Sequence, residues 1–175
     1  QMCIRDRPAT RGYPPSTFSV LARLLERAGT GPVGSITGLY TVLVDGDDHN
    51  EPIADAARGI LDGHVVLDRA LAIRGHFPAV DVLGSVSRVV SKVTTPEQRQ
   101  NAVTLRSVLA ARRSANDLIE IGAYRQGANP MVDAAIAHEG AISRFLTQSI
   151  DDLAATDESW LQLATLTTDF GGLTP

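Results

Sequence analysis

The spacing of apolar residues changes character about halfway along the chain. Before residue 90, short apolar runs alternate with helical stripes that glycine and proline interrupt. From residue 93 onward, every apolar stripe has the spacing of an amphipathic helix, and no strand pattern is seen. The pattern therefore predicts an α/β layer with a parallel sheet, followed by an all-α bundle.

In the first half, a helix is predicted from Pro14 to Gly29, because proline is tolerated in a first helical turn and glycine commonly follows a helix. The run 35–44 is almost continuously apolar and rich in β-forming residues, which is typical of a strand covered on both faces. The remaining predicted elements are a helix over 53–61, a strand over 64–67, a helical turn over 68–74 and a strand over 79–83.

In the second half, the residues 95–98 (TPEQ) form a capping box with proline at the first helical position. They predict the start of a long helix that Gly122 ends. Further helices are predicted from Asn129, along an apolar stripe from Ile142 to Leu153, and from a cap at Thr156.

Composition removes several classes of function. The 175 residues are 43% hydrophobic and 21% charged, as in ordinary soluble domains. The net charge of −4 gives no basic surface for nucleic acid. No apolar run approaches the roughly 20 residues that cross a bilayer. The single cysteine, Cys3, permits neither an internal disulfide nor a cysteine metal cluster, so a cytoplasmic setting is the expectation.

Residues 1–7 (QMCIRDR) lack the order of a signal peptide, because no apolar segment follows the charges. We predict that they are a non-native leader, and Cys3 falls within it. The rest of the chain is predicted to divide into an α/β region over 8–92 and a helical domain over 93–175.

The polar residues show no familiar catalytic or metal-binding pattern, and no metal site is predicted. Neither HExxH nor CxxC occurs, and the acidic turn at 45–48 lacks the glutamate that completes a calcium loop. There is no G-x-S-x-G and no GxxxxGK[ST], so the chain carries no phosphate-binding loop of its own. The four histidines without ligand spacing are His49, His64, His76 and His138.

Arg88 is the one charged residue whose position points to a ligand. It follows the predicted strand at its carboxyl end, and ligands of open α/β sheets bind at that edge. A guanidinium there can present its planar donors to phosphate. From spacing alone, a surface arginine paired with a nearby carboxylate is the favoured explanation of this residue.

Four stretches carry a family resemblance: PATRGYPPSTF from residue 8, GSITGLYTVLVDGDD from 34, PIADAARGILDGHVVLDRALAIRGHFPAVDVLGSVSRVV from 52 and LIEIGAYRQGANPMVDAAI from 118. In this order they closely resemble the flagellum-specific, type III export ATPases, which are similar to the catalytic subunits of rotary ATP synthases. The resemblance covers nearly everything after the leader.

The resemblance implies the C-terminal part of a RecA-like nucleotide-binding core followed by a C-terminal helical domain. It implies hydrolysis of ATP with Mg²⁺ by a homohexamer. Family members also carry an N-terminal β-barrel, the phosphate-binding loop, a catalytic glutamate and a magnesium-binding aspartate. All of these are expected upstream of this sequence, so the chain is expected to be a C-terminal fragment that is inactive alone.

The resemblance also assigns three site residues. Arg88 in SVSRV matches the arginine finger that reaches the nucleotide of the neighbouring subunit. Tyr13 in RGYPP and Tyr124 in IGAYRQG match aromatic residues of the adenine pocket. The alternative for both tyrosines is packing in the core or at an interface.

The partners implied are the other subunits of the hexamer, the flagellar export apparatus, stalk and regulatory proteins, and complexes of export chaperones with their substrates. The place implied is the cytoplasmic face of the export gate, with peripheral membrane association and no nucleic acid. Three alternatives stay open: the ATPase of a virulence-type injectisome, a non-catalytic nucleotide-binding or regulatory subunit, and a free-standing helical interaction module.

Overall fold

The computed structural model of the chain describes residues 13–44, 46, 48 and 51–173. Two compact units are present, and they divide between His64 and Val65. The predicted leader with Cys3, half of the acidic turn (Asp45 and Asp47) and His49 lie outside the described residues. The division predicted near residue 93 stays a prediction.

The first unit is built on two helices. The helix α1 packs against α2, and the contact buries Leu25, Ala54 and Ala57. Both helices have proline in their first turn, where the backbone N–H that proline lacks would have no helical partner. Between them, β1 and β2 pair antiparallel. The elements are α1 (Pro15–Leu25), β1 (Gly29–Thr30), β2 (Ser35–Ile36) and α2 (Pro52–Ile60).

The strand predicted over 35–44 is wrong in its extent, because β2 ends at Ile36. Residues 37–44 have no regular secondary structure, and Leu39 and Leu43 are 95% and 89% exposed. A strand is held by hydrogen bonds to a neighbouring strand. Within the described ranges, the only strand pairing of residues 35–44 is with β1, and it involves only Ser35 and Ile36.

The α/β part continues with β3 (Gly63–Leu67), α3 (Arg69–Ile73), β4 (Val80–Ser87) and α4 (Val90–Val93). The strands β3 and β4 pair with each other. Asp68 caps α3, since its Oδ1 accepts a hydrogen bond of 2.7 Å from the N–H of Ala70. Gly75, at a φ of 75°, follows the helix where the sequence placed its end. The strand β4 is longer than the five residues predicted.

The helix α5 (Pro96–Glu120) is the longest element, and its predicted start is confirmed. The N–H of Gln98 donates to Oγ1 of Thr95 over 3.2 Å, and Oε1 of Gln98 accepts from the N–H of Thr95 over 2.9 Å. These reciprocal bonds satisfy two backbone donors of the first turn. Gly122, at a φ of 69°, lies where the chain leaves the helix.

Three shorter helices complete the bundle: α6 (Pro130–Ala137), α7 (Glu139–Leu146) and α8 (Thr156–Asp169). The helix α5 packs against α6 and α8, and α7 packs against α8. Over residues 93–173 no strand occurs, so the predicted order of an α/β part and then an all-α part is confirmed. The buried core is formed by Leu105, Val108, Ala135, Ile142, Leu163, Leu166 and Phe170.

Two details of the predicted bundle are wrong. The apolar stripe stops with α7, and Ile150 and Leu153 are each 97% exposed beyond it. There the carboxylate of Asp152 accepts a 2.9 Å hydrogen bond from the N–H of Ser149, and such local bonds compete with helix formation. Thr156 does not cap α8, because it is the first helical residue and follows the N-cap Ala155.

Candidate functional site

Arg88 lies directly after β4 and is exposed. Val80, Val82 and Val86 give the strand the β-branched character that favours extended backbone. The strand stops at Ser87, and the helix α4 begins two residues after Arg88, at Val90. Arg88 therefore lies in the short connection between β4 and α4. This is the position after the carboxyl end of a strand that the sequence indicated.

The backbone of β4 is held from the side by Arg106 of α5. Its Nη1 donates to the carbonyl oxygens of Val82 and Ser85, the latter over 3.2 Å, and its Nη2 donates to that of Leu83 over 3.2 Å. One guanidinium thus bonds three carbonyls within four residues of strand. The last of them lies three residues before Arg88.

A second contact from α5 reaches the start of the same strand. Nη2 of Arg113 lies 2.7 Å from Oδ1 of Asp81, and the N–H of Leu83 donates to the same oxygen over 3.0 Å. The hydrogen bonds from Arg113 lower the pKa of Asp81, burial opposes this, and the N–H groups of Gly84 and Leu83 lower the pKa further. The carboxylate is therefore ionised and bound from two sides.

Gly84 is required by this arrangement. A Cβ at this position would lie 2.9 Å from Oδ2 of Asp81 and 3.3 Å from its carboxyl carbon. Nearby, Oγ of Ser85 donates to the carbonyl oxygen of Asp81 over 2.7 Å and accepts from the N–H of Val66 over 3.0 Å. The serine side chain therefore links β3 to the stretch of β4 that Arg106 holds.

Tyr124 lies in the loop between α5 and α6. Its hydroxyl is 3.0 Å from Oδ1 of Asp133 and 3.1 Å from the carbonyl oxygen of Asn129, and it accepts from the N–H of Asn129 over 3.2 Å. Oδ2 of Asp133 accepts from the N–H of Gly127 over 2.9 Å. Burial raises the pKa of Tyr124, and the hydrogen bond with Asp133 raises it further. The hydroxyl therefore closes the loop between α5 and α6.

Tyr13 lies in the first unit, immediately before α1, and is partly buried. Its hydroxyl donates to Oε1 of Glu51 over 3.2 Å, and Glu51 is itself buried. The bond ties the start of α1 to the residue that precedes α2. The hydroxyl of Tyr13 therefore has a structural role that is independent of any contact made by its ring.

The structure does not bring Arg88 and Tyr124 together. Arg88 precedes α5 in the chain and Tyr124 follows it, and the 25 residues of this helix span about 37 Å at the usual helical rise. Both belong to the second unit, whereas Tyr13 belongs to the first. One copy of the second unit therefore presents the cation and the aromatic ring at separate places.

Phe77 is an exposed aromatic residue that the sequence analysis missed. Its side chain is 55% exposed, and its carbonyl oxygen accepts from the N–H of Gln148 over 2.8 Å. That bond brings the loop containing the exposed Ile150 next to it. An aromatic residue in the polar turn RGHFP is the signal that could have identified it.

A cleft of about 730 Å³ opens beside β4. Its walls are mainly apolar, and the two arginines that border it, Arg99 and Arg106, both donate to main-chain carbonyls. It therefore offers little to a phosphate group. Among its lining residues are Val82, Val86, Val103, Phe145, Trp160 and Leu163.

The part of the chain that the structure describes contains no group of three or more His, Cys, Asp or Glu residues arranged to hold a metal ion. In the same part, no helix is both long enough and apolar enough to cross a bilayer.

Two family models match the chain. The nucleotide-binding domain of the ATP synthase alpha/beta family covers residues 1–87, and the C-terminal domain of the type III secretion ATPase EscN covers 94–165. Together these ranges include more than nine tenths of the sequence.

The curated relatives include flagellum-specific ATP synthases and type 3 secretion system ATPases. The flagellum-specific ATP synthase of Bacillus subtilis is 52% identical over 162 residues, which are 93% of this chain and 37% of that protein. The type 3 secretion system ATPase of Sinorhizobium fredii is 49% identical over 162 residues, which are 91% of this chain and 36% of that protein. The chain thus spans little more than a third of the length of these relatives.

Solved structures agree with the family models. The assembled ATPase EscN from the type III secretion system of enteropathogenic E. coli gives a TM-score of 0.88 at 42% identity, over 93% of this chain and 39% of that one. The same EscN in complex with its central stalk EscO gives 0.80 at 42% identity, over 89% and 37%. The chain belongs to the ATPase family that comprises the flagellum-specific ATP synthases and the type III secretion ATPases, and it has the fold of their C-terminal region.

Proposed function

We propose that this chain is the C-terminal part of a flagellar protein-export ATPase, which hydrolyses ATP as a homohexamer to energise the export of flagellar proteins. The observation that carries the proposal is the exposed Arg88 at the end of a strand whose backbone α5 holds in place. In a chain of this family, an exposed cation directly after a strand supports this role, because open α/β sheets bind ligands at the carboxyl ends of their strands.

The role proposed for Arg88 is that of an arginine finger acting on the nucleotide of the neighbouring subunit. Transfer of the γ-phosphoryl group requires stabilisation of charge on its oxygens more than covalent chemistry. The planar guanidinium can give two parallel hydrogen bonds to those oxygens. Mg²⁺ and the phosphate-binding loop belong to the upstream part of the full-length protein in this proposal, so the chain itself supplies the finger and part of the adenine pocket.

The separation of Arg88 from Tyr124 supports action on a neighbour. In a ring, one subunit can offer its finger to the site on one side and its aromatic residues to its own site. EscN was solved as an assembled ATPase and in complex with its central stalk EscO, and this supports an assembly of subunits and a stalk partner for the proposed homohexamer. Export chaperones with their substrates, regulatory proteins and the cytoplasmic face of the export gate complete the proposed setting.

Replacement of Arg88 in the full-length protein tests the proposal. We expect Arg88→Ala to lower kcat by about 10³-fold or more, with nucleotide affinity nearly unchanged. Arg88→Lys should rescue little, because lysine lacks the planar pair of donors. Arg74→Ala, at an exposed arginine that follows α3, is the matched control and should keep full turnover. Near-normal turnover of an assembled Arg88→Ala protein would disprove the finger.

The adenine pocket is tested by separating ring from hydroxyl. If the rings of Tyr13 and Tyr124 stack on adenine, the Phe variants should keep nucleotide affinity and the Ala variants should lose it. Phe77→Ala belongs in the same series, because this exposed ring can also stack. Loss of affinity in Phe77→Ala alone would move the pocket from the two tyrosines to Phe77.

A second candidate is the ATPase of a virulence-type injectisome. The identity of 49% to the secretion ATPase of Sinorhizobium fredii is close to the 52% to the flagellar protein of Bacillus subtilis, so identity does not separate them. Expression of the full-length protein in strains that lack one ATPase or the other distinguishes the two. Restored swimming supports the flagellar function, and restored effector secretion alone supports the injectisome.

A further inference from the structure

We propose that Arg106 is a positioning residue for Arg88: it holds a bulge in β4 that sets the direction of the finger. The inference rests on the proposed function of Arg88. It concerns a contact within the second unit, between a helix of the bundle and the strand that precedes the finger.

The three carbonyls that meet Arg106 show that β4 is not a regular strand at this point. In a regular strand, successive carbonyls point to opposite sides. Here the carbonyl oxygens of the adjacent residues Val82 and Leu83 both accept from the same guanidinium. One of them has therefore turned from its regular direction, as happens in a β-bulge.

Two further hydrogen bonds also depart from regular strand pairing, and they involve Leu83 and Ser85 of β4. The N–H of Leu83 turns back to Oδ1 of Asp81. The N–H of Val66, on β3, bonds the side-chain oxygen of Ser85 where a regular ladder would offer a carbonyl. A Cβ on Gly84 would lie 2.9 Å from Oδ2 of Asp81, so the carboxylate that Arg113 binds would have to shift. The bulge thus has supports on its own strand, on β3 and on α5.

A bulge of this kind controls where later side chains point. Side chains alternate between the two faces of a strand, so removal of one extra residue from the pairing turns every following side chain to the opposite face. Arg88 follows Ser85 by three residues. If the carbonyls lost their donors and the strand relaxed to regular pairing, the finger would leave the direction in which the folded strand presents it.

An arginine at position 106 suits this task better than a lysine would. Its contacts are three main-chain carbonyls, and no carboxylate forms an ion pair with it in the described part of the chain. A fixed fork of donors can serve several carbonyls together, whereas lysine offers one point charge on a flexible stem. The side chain is therefore used for its shape as well as for its charge.

A double-mutant cycle on kcat in the full-length ATPase tests the proposal. We expect Arg106→Ala to lower kcat about tenfold to a hundredfold, the loss that displacement of a catalytic group by about 1 Å can cause, with KM for ATP close to wild type. In an Arg88→Ala background, the same substitution should lower kcat no further, because its effect passes through the finger.

Arg112→Ala is the matched control. Arg112 lies on the same helix and pairs with Glu139 at 2.5 Å, with no bond to β4. It should leave kcat unchanged in both backgrounds. Arg106→Lys is the second variant, since it keeps the charge and the aliphatic stem in case the alanine protein does not assemble. It should show the same loss of kcat in the wild-type background only.

Each outcome decides the matter. A fall in kcat that vanishes in the Arg88→Ala background supports the positioning role. An equal fall in both backgrounds, no fall in either, or failure of both Arg106 variants to assemble overturns it and leaves the finger assignment intact. If Arg88→Ala itself keeps full turnover, the finger assignment fails, and the positioning role fails with it.

Discussion

The two compact units differ in how far their apolar side chains are buried. In the second unit, Leu105 on α5 is 4% exposed, within a core shared with the other helices of the bundle. In the first unit, Leu39 and Leu43 are almost fully exposed in the run that follows β2. Helical stripes find cover on the next helices of the chain, whereas an apolar strand needs a neighbouring strand and a covering layer. The helical bundle should therefore provide most of the stability of this chain.

The largest expected difference between the two units comes from replacing one leucine by alanine in each of them. Leu105→Ala removes buried volume and should lower the free energy of unfolding by about 3 kcal/mol. Leu39→Ala, at a residue that is 95% exposed, should change it by less than about 0.5 kcal/mol. Chemical denaturation of the two variants measures both values. Equal losses would show that Leu39 is covered in solution.

The next effect concerns the ion pairs of the two units. Arg113 and Asp81 lie 2.7 Å apart with side chains 59% and 15% exposed, whereas Arg58 and Asp55 lie 3.6 Å apart with 29% and 77% exposed. Asp81→Asn should lower the free energy of unfolding at pH 7 by about 1.5 kcal/mol, the low end for a charged hydrogen bond because Arg113 is solvated. Asp55→Asn should have almost no effect.

The Asp81 contribution should also depend on pH in a defined direction. The pKa of Asp81 is lowered from its ordinary value of 3.8 by Arg113. A lowered pKa stabilises the folded state fully above the ordinary value, and this stabilisation is lost as the pH falls through the lower folded-state pKa. The difference between wild type and Asp81→Asn should therefore be constant above pH 5 or so and shrink below 3.8. A difference that grows on acidification would contradict the assignment.

The smallest effect compares two helix starts within the bundle. Thr95→Ala removes a capping box and should cost about 1 kcal/mol. Thr156→Ala, at a helix start without a side-chain cap bond, should be nearly neutral. Thermal unfolding of both variants measures the difference. Similar melting temperatures for the two would mean that the Thr95 bonds contribute little to stability.

Local signals in the sequence were sufficient to predict the limits of the long helix of the bundle, but they were insufficient to predict the extent of the strands. The capping box at Thr95 and Gln98 and the glycine after α5 act within four residues, so they could be recognised without knowledge of the fold. The extent of β2 depends on a partner strand, which no local pattern supplies. The same limit applies beyond α7, where the apolar Ile150 and Leu153 suggested a longer helix but the chain forms a turn.

The candidate site could be predicted only in part, because some of its contacts join residues that are distant in the sequence. Arg88 could be selected from its place after a strand, and the family resemblance gave it a role. The support from Arg106 could not be predicted, because it depends on a contact between residues 24 positions apart and on a departure from regular pleating. For Tyr124, the family resemblance implied an aromatic ring that contacts adenine, while the structure adds a hydroxyl that closes a loop.

The most direct test of the account is a structure of the assembled full-length protein with an ATP analogue and Mg²⁺ bound. We predict that the guanidinium of Arg88 lies within hydrogen-bond distance, about 3 Å, of a γ-phosphate oxygen of the nucleotide held by the neighbouring subunit. A guanidinium that contacts only its own subunit, or that points away from every nucleotide, would contradict it.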